Sequence, residues 1–600
     1  MARTPLIDPV LADLDGRIRA ALLAAGLPET DPDLEKPKQA DHGDWATTVA
    51  LRLAKPVGRN PRELAQLVVD HLDLPAVIEE ASIAGPGFVN LRFAHRYHED
   101  LVRRVLTEGQ RYGRSQVPDD ERRQVNVEFV SANPTGPLHV GAGRWAATGD
   151  ALAALLEATG HAVTREYYVN DAGEQIRLFG ESVVLVATGG ALTEEHYRGH
   201  AIVEVAEQLR AAYGQALFTT PPVGDEVELT GGTIEHRGGP GGERAEDSSG
   251  GGGAVDPRIA AAVGVLGVEA MRQRIEDGLR AMGVDFDVWF SERARLHETG
   301  AIEATLAELT ERGEAYAAEG ALFLRTTDHG DDKDRVLRRS DGRPTYFAAD
   351  CAYLRDKWSR ADELYYLLGA DHHGYVDRLK AAAACLGVPP DRVEIRIGQL
   401  VNLLRAGQPV RMSKRAGETI DLDEVVEEVG ADVVRYHFLR QGLDSTIDFD
   451  LAVVAAQSME NPVYYVQYAH ARIASVIRNA DERGFDAGEV ADADLSLLTH
   501  PAELALLSAM ASLPLVVAEA AQLRATQRLA RYAEELAGTF HRFYTECRIL
   551  APPSGDADAP GAEVAADPEL GRARYHLAVA AKQVLANALA LLRVSAPERM

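Results

Sequence analysis

A strand-like run leading into a glycine-opened helix limits this chain more than any other feature. Gln124-Val-Asn-Val-Glu-Phe-Val130 alternates as a half-buried strand does, and Gly141-Ala-Gly143 opens an apolar-periodic helical stretch reaching Gly160. Between them lies Pro137-Leu-His139-Val-Gly141-Ala142, so His139 stands at a strand-to-helix turn. Such a turn suits an anion: free N–H groups and the positive end of the helix dipole point at it, and glycine lets a nucleotide approach the backbone. A second segment, Arg411-Met412-Ser413-Lys414-Arg415, sits in a glycine-flanked loop far downstream. Its lysine can balance the charge that builds on a departing pyrophosphate, while His139 donates to phosphate oxygens. Together the two segments read as an ATP site.

With 600 residues the chain is too long for one core and predicts three or four domains. Its three cysteines, Cys351, Cys385 and Cys547, lie far apart without C-x-x-C spacing, which predicts neither a disulfide framework nor a zinc site and fits a reducing cytoplasm. The N-terminus lacks an apolar signal-like run. The most apolar stretch, Leu504 to Ala518, is too short to span a bilayer and contains Pro514, so no membrane association is predicted. A net charge of −29 argues against nonspecific nucleic-acid binding. Local clusters, Arg103 to Arg114 with His95-Arg96, and Arg524 to Arg548, can still form positive strips on an acidic body.

Residues 1–115 form a first, α+β unit, with helical periodicity over Leu11 to Gly26 and Pro61 to Leu72, and a turn followed by an edge strand in Ser82 to Phe93. Residues 120–455 alternate strand-like and helix-like stretches, as a Rossmann-like doubly wound parallel sheet with an insertion requires. Within them, 224–256 is glycine-rich and reads as a flexible surface loop. From 456 to 600 alanine and leucine recur with helical period, predicting an all-α bundle.

The two signature segments resemble the HIGH and KMSKS motifs of class I aminoacyl-tRNA synthetases. Ser131-Ala-Asn133-Pro-Thr-Gly-Pro-Leu-His139, Arg165-Glu-Tyr-Tyr-Val-Asn-Asp-Ala-Gly-Glu-Gln-Ile176, Tyr346-Phe-Ala-Ala-Asp350 and Asn461-Pro-Val-Tyr-Tyr-Val-Gln-Tyr468 narrow the resemblance to the arginyl, bacterial-type family, nearly end to end. Two departures stand out. The second histidine of HIGH is Ala142 here. The KMSKS equivalent begins and ends with arginine but keeps its second lysine as Lys414; many members lose that lysine and carry one just before HIGH, where this chain has Gly136.

The resemblance implies ligation of L-arginine to tRNA(Arg) through an arginyl-adenylate, with ATP supplied as its Mg2+ complex and a monomeric enzyme. It implies His139 and Lys414 as catalytic, with Gly141, Ala142, Gly143, Asp371, His372, Met412 and Ser413 completing the ATP site. An arginine pocket must meet a planar, permanently charged fork, which carboxylates placed edge-on satisfy best. By resemblance Tyr346, Asp350 and Glu292 take the guanidinium, while Glu128, Ser131 and Asn133 hold the α-amino and carboxylate end. The N-terminal domain would read the tRNA elbow through Asn90 and Phe93, and the C-terminal bundle the anticodon through Tyr464 and Tyr468. The adjacent pair His372-His373 points two ways and lacks a third ligand at suitable spacing, so no zinc is expected there. A catalytically impaired, tRNA-binding or regulatory relative is the alternative, and adenylate formation separates the two.

Overall fold

The computed structural model describes residues 9–37, 43–115, 122–222, 229–230, 233–234, 255–410, 420–550 and 567–600. Met412, Ser413 and Lys414 lie outside the described residues, as does most of the glycine-rich segment 224–256. Within that segment, Leu229–Thr230 and Thr233–Ile234 pair antiparallel. The chain divides into two compact units: residues 123–153 with 162–456, and residues 1–122, 154–161 and 457–600.

The first of these is built on five parallel strands, β1 (Gln124–Glu128), β2 (Ala162–Val169), β3 (Val288–Ser291), β4 (Glu363–Gly369) and β5 (Val393–Gly398). They run in the order β5-β4-β1-β2-β3. Successive strands step outward one way from β1 through β2 to β3, then the other way from β4 to β5. The order therefore reverses between β1 and β4, and in such sheets ligands bind beyond the carboxyl ends of the strands at that point. His139 follows β1 and the Gly369–Tyr375 turn follows β4, so the topology brings both to the reversal.

The alternation over Gln124–Val130 predicts a half-buried strand, but β1 is central and four of its five residues are buried. Its polar residues, Asn126 and Glu128, are buried with partners instead of facing water. Helix α1 (Val140–Ala158) follows. Gly149 on it lies so close to Phe129 that a Cβ would fall 2.2 Å from the ring.

Three further helices belong to this unit: α2 (Glu174–Thr188), α3 (Pro257–Ala281) and α4 (Tyr346–Trp358). α2 and α3 cross nearly backbone to backbone. A Cβ on Gly180 would meet the Ala260 carbonyl oxygen at 2.0 Å and the Gly264 nitrogen at 2.5 Å, neither of which can swing aside. Gly180→Ala is therefore expected to destabilise this unit by about 1–3 kcal/mol despite alanine's better helix propensity; urea unfolding measures it, and an unchanged midpoint would refute the close crossing.

The second unit contains an antiparallel sheet in the order Leu34–Glu35, Trp45–Thr47, Phe88–Phe93, Ile78–Ala84. Phe88–Phe93 is thus an interior strand, not the edge that the sequence suggested; Ile78–Ala84 takes the edge. The helices expected over 11–26 and 61–72 form as Pro9–Ala24 and Pro61–His71. The N-terminal and C-terminal segments pack together here: Tyr112 Oη donates to the Met510 carbonyl at 3.1 Å, and Asn587 Nδ2 donates to the carbonyls of Gly109 and Tyr112, both at 2.9 Å.

Pro501–Leu523 is, by length and composition, apolar enough to cross a membrane, which corrects the sequence-based judgement that this stretch is too short. More than half of its most apolar 18-residue window is buried, and the stretch forms two helices that break at Ser512. The expected positive strip after His95 is largely paired: Arg96 meets Asp100, Arg103 meets Glu99, and Arg104 meets Glu108.

Candidate active site

α1 begins at Val140, where the Ala142 N–H donates to the His139 carbonyl at 2.8 Å. His139 is exposed at this start, while Ala142 and Gly143 are buried. A Cβ on Gly143 would meet Leu422 at 2.6 Å, so the helix start sits hard against the segment that begins at residue 420. There the Leu422 N–H donates to the Leu138 carbonyl at 2.8 Å, and His139 faces Asp421 in an antiparallel bridge. Asp421 and Leu422 are thereby anchored at the histidine turn. Asp150, deeper on α1, is buried between two arginines, Arg165 at 3.1 Å and Arg435 at 2.6 Å, which locks the helix to β2 and to the helix Ala431–Leu439. Buried Arg144 donates to the carbonyls of Gln399 and Gly442, both at 2.8 Å, and burial lowers its pKa to about 10.

Beside this turn the fold collects carboxylates. Glu128 ends β1, Glu292 follows β3, and Asp350 lies one turn into α4; burial and the charges of all three push the Tyr168 phenol on β2 well above its ordinary pKa. Sequence separations of up to 222 residues are closed by the parallel register, which sets Glu128 between Tyr366 and Glu166.

The carboxylates are not equivalent. Glu128 accepts from Lys357 Nζ at 2.7 Å, Tyr353 Oη at 3.0 Å and Ser131 Oγ at 3.0 Å. Glu166 shares the single Tyr353 O–H with Glu128 and accepts from Asn126 and Arg360. Burial alone would raise the Glu166 carboxyl, but Lys357 and Arg360 outweigh it and hold it below the usual value. Lys357 has no exposed surface and also lies over the Tyr366 ring at 3.7 Å. Two acids are thus matched by two bases.

Glu292 and Asp350 are not matched in this way. Among the described residues no lysine or arginine forms an ion pair with either. Glu292 meets His297 at 3.0 Å, and Asp350 accepts from the Tyr375 hydroxyl. Burial pushes the Asp350 carboxyl up to about 7; the Tyr375 hydrogen bond opposes this, and the charges of Glu292 and Glu128 add to it. The charge of Arg378 also acts on Asp350 and favours its ionised form, but without a direct ion pair.

The other predicted residues fall around this centre with less engagement. Tyr346 is 66% exposed at the start of α4, with its hydroxyl beside Gly173. Exposed Asn133 accepts from Asn170 at 3.4 Å. Gly141 carries no side chain to hold and lies against the His139 ring. Asp371 and His372 belong to the turn after β4; His372 is exposed and stands edge-on to Tyr375, and the Asp371 side chain is outside the described set. Sequence reasoning missed Lys357, Tyr353, Tyr375 and Glu166. A signal existed for two of them: Tyr346, Asp350, Tyr353 and Lys357 follow i, i+4, i+7, i+11 spacing on one stripe of α4.

In the second unit Phe93 is 5% exposed, with its ring 4.1 Å from Tyr97, and Asn90 is also buried. Phe93 packs into the hydrophobic core with Tyr97 and Leu91 and presents no open stacking face. Tyr464 and Tyr468 are half-buried and stacked at 6.2 Å, with Arg472 over Tyr468.

Comparison with known proteins agrees with this arrangement. The class I tRNA synthetase (R) catalytic-domain model matches residues 101–194 and 268–436, the arginyl tRNA synthetase N-terminal domain model matches 12–93, and the DALR anticodon binding domain model matches 466–600. Along all of both chains, 602 aligned residues, the protein is 45% identical to the Arginine--tRNA ligase of Frankia alni. The chain belongs to the arginyl-tRNA synthetase family. Its fold matches that of the Thermus thermophilus arginyl-tRNA synthetase, with a TM-score of 0.71 at 22% identity over 98% of this chain and 99% of that one. The Plasmodium falciparum arginyl-tRNA synthetase gives 0.70 at 14% identity, over 99% and 100%. At these identities the likeness speaks to fold alone. In this synthetase the glycine-rich segment falls in the stretch, 195–267, that the catalytic-domain model passes over.

Proposed function

We propose that this protein joins L-arginine to its tRNA in two steps, with ATP as its Mg2+ complex. The arginine carboxylate attacks the α-phosphate to give arginyl-adenylate and pyrophosphate. A terminal-ribose hydroxyl of the tRNA then takes the arginyl group and releases AMP. The observation that carries this reading is the pair of acids, buried Glu292 and half-buried Asp350, with which no lysine or arginine among the described residues forms an ion pair. A guanidinium supplies the missing charge with paired hydrogen bonds.

The roles are assigned from the family resemblance together with the described positions. Asp350 and Glu292 hold the guanidinium, with Tyr346 at the mouth. Glu128 is already saturated by Lys357, so we assign it to fixing Ser131 and Tyr353 alongside the α-amino end, with Asn133 at the exposed rim. His139 and the first turn of α1 serve phosphate oxygens, and Lys414 balances charge on the departing pyrophosphate. Gly141, Ala142 and Gly143 let the nucleotide approach; Asp371, His372, Met412 and Ser413 complete the ATP site. Charge stabilisation and positioning do most of the catalysis. Tyr464 and Tyr468, with Arg472, offer splayed anticodon bases an aromatic and cationic surface.

Arginine-dependent ATP/pyrophosphate exchange, with and without tRNA, tests the reading. Exchange that depends on arginine supports it, and tRNA charging without arginine specificity, or no adenylate at all, sinks it in favour of a non-catalytic relative.

The Asp350 carboxyl adds a pH signature. A folded-state value of about 7, above the ordinary 3.8, means that its contribution to stability is fully present below about 4 and is lost as pH rises through 7. Guanidinium binding requires the ionised form. Arginine affinity should therefore rise about tenfold per pH unit below 7 and level off above it. Calorimetry at pH 6 in two buffers of different ionisation heat should detect close to one proton released per arginine; none released would show that Asp350 does not meet the ligand.

A further inference from the structure

Away from the arginine pocket, three side chains with metal-ligating chemistry converge from separate parts of the chain. Glu314 precedes the strand Ala315–Ala318, His329 ends the short turn Thr326–His329, and Cys385 ends the helix Val376–Cys385. One ligand atom from each lies within 4.8 Å of the other two, and His329 Nε2 is 3.0 Å from a Glu314 carboxylate oxygen. Ligands 2.0–2.3 Å from a common tetrahedral ion lie roughly 3–4 Å apart, so only small side-chain adjustments separate this trio from a coordination shell.

The scaffold is ordered independently of any ion. The Arg325 N–H donates to the Glu314 carbonyl at 2.9 Å, Thr326 Oγ1 donates to the Lys333 carbonyl at 2.8 Å, and the Cys385 thiol is buried. His329 and Glu314 keep about a quarter of their side-chain surface open, which leaves an entry path.

We infer that Glu314, His329 and Cys385 form a binding site for a divalent ion of zinc type, held by one sulfur, one nitrogen and one oxygen with a water in the fourth position. A thiolate with an imidazole selects zinc, or cobalt as its spectroscopic substitute, over magnesium or calcium, which prefer oxygen-only shells. The absence of local C-x-x-C or H-x-x-H spacing hid the site, because its ligands lie 15 and 56 residues apart in sequence. Binding replaces the thiol proton with the metal: the Cys385 S–H bond breaks, the sulfur–metal bond forms, and one proton leaves to solvent.

The structural consequence is a clip. The helix that Cys385 ends begins beside Tyr375, which holds Asp350, and the metal ties that helix to the small antiparallel sheet carrying Glu314. Its loss should lower thermal stability without altering the reacting groups.

Titration of the full-length protein with Co2+ tests the inference. One equivalent should bind, with a thiolate-to-cobalt charge-transfer band in the near ultraviolet and release of about one proton. Zn2+ should displace the cobalt. Cys385→Ser should abolish the band, and Cys547→Ser should keep it. Should Cys385→Ser fail to fold, His329→Ala, at a solvent-facing position, decides: loss of one-equivalent uptake supports the site, and uptake unchanged in His329→Ala overturns it. Absence of the band in the native protein overturns it as well, leaving a hydrogen-bonded trio.

Discussion

Lys357→Met is expected to destabilise the catalytic unit by about 3–5 kcal/mol, the cost of stranding one member of a buried ion pair. Lys357 is wholly buried and donates to Glu128 at 2.7 Å. Methionine has similar length but no charge, so Glu128 would keep only the Tyr353 and Ser131 hydroxyls. Glu166 would suffer less, because Arg360 still reaches it at 2.9 Å. Two measurements separate a lost charge from lost packing. Lys357→Met/Glu128→Gln removes both charges and should recover most of the stability, since replacing both members of a buried pair can be nearly neutral. The single variant should also regain stability as pH falls and a lone buried carboxylate takes up a proton. Urea unfolding at pH 8 and pH 5 gives both answers; equal losses in single and double variants at both pH values would show that Lys357 serves only to fill space.

That pair also marks how far the sequence could be read. The strand–turn–helix around His139 was legible because its signals are local: a period-two run, a proline–glycine turn, then helical periodicity. The helices of the C-terminal bundle were legible for the same reason. What local pattern could not convey was which polar residues of a strand would be buried. Asn126 and Glu128 made β1 look half-exposed, whereas Glu166, 40 residues on, and Lys357, some 230 residues on, satisfy them inside the sheet. Phe88–Phe93 was misplaced at an edge because strand order is set by the pairing of Trp45–Thr47, which is too short to announce itself. Likewise, nothing between residues 36 and 508 indicates that the Lys36 ammonium will donate to the Ser508 carbonyl. The candidate carboxylates Glu128, Glu292 and Asp350 were identifiable through family-like segments, but their inequivalence was not: it depends on which of them the fold supplies with a cation.

That inequivalence makes Asp350 the sharpest test of substrate identity. Asp350→Asn keeps the shape of the side chain, removes its charge, and replaces one acceptor with an N–H2 group facing the substrate's own donors. The expected cost is about 2–4 kcal/mol in kcat/KM for arginine, roughly 30- to 700-fold, as for breaking a desolvated charge-assisted pair. KM for ATP should barely change, because the nucleotide is assigned to the His139 turn and the 411–415 loop. The free enzyme should respond in the opposite direction. At pH 8 the native pocket carries an ionised Asp350 near Glu292 and Glu128, and asparagine relieves that repulsion, so the unliganded variant should be as stable as the native protein or more so. A variant weakened in arginine use yet not in stability is what a ligand-binding carboxylate predicts. Near-normal use of arginine together with lowered stability would mean that Asp350 serves Tyr375 and the packing of α4, and arginine recognition would then rest on Glu292.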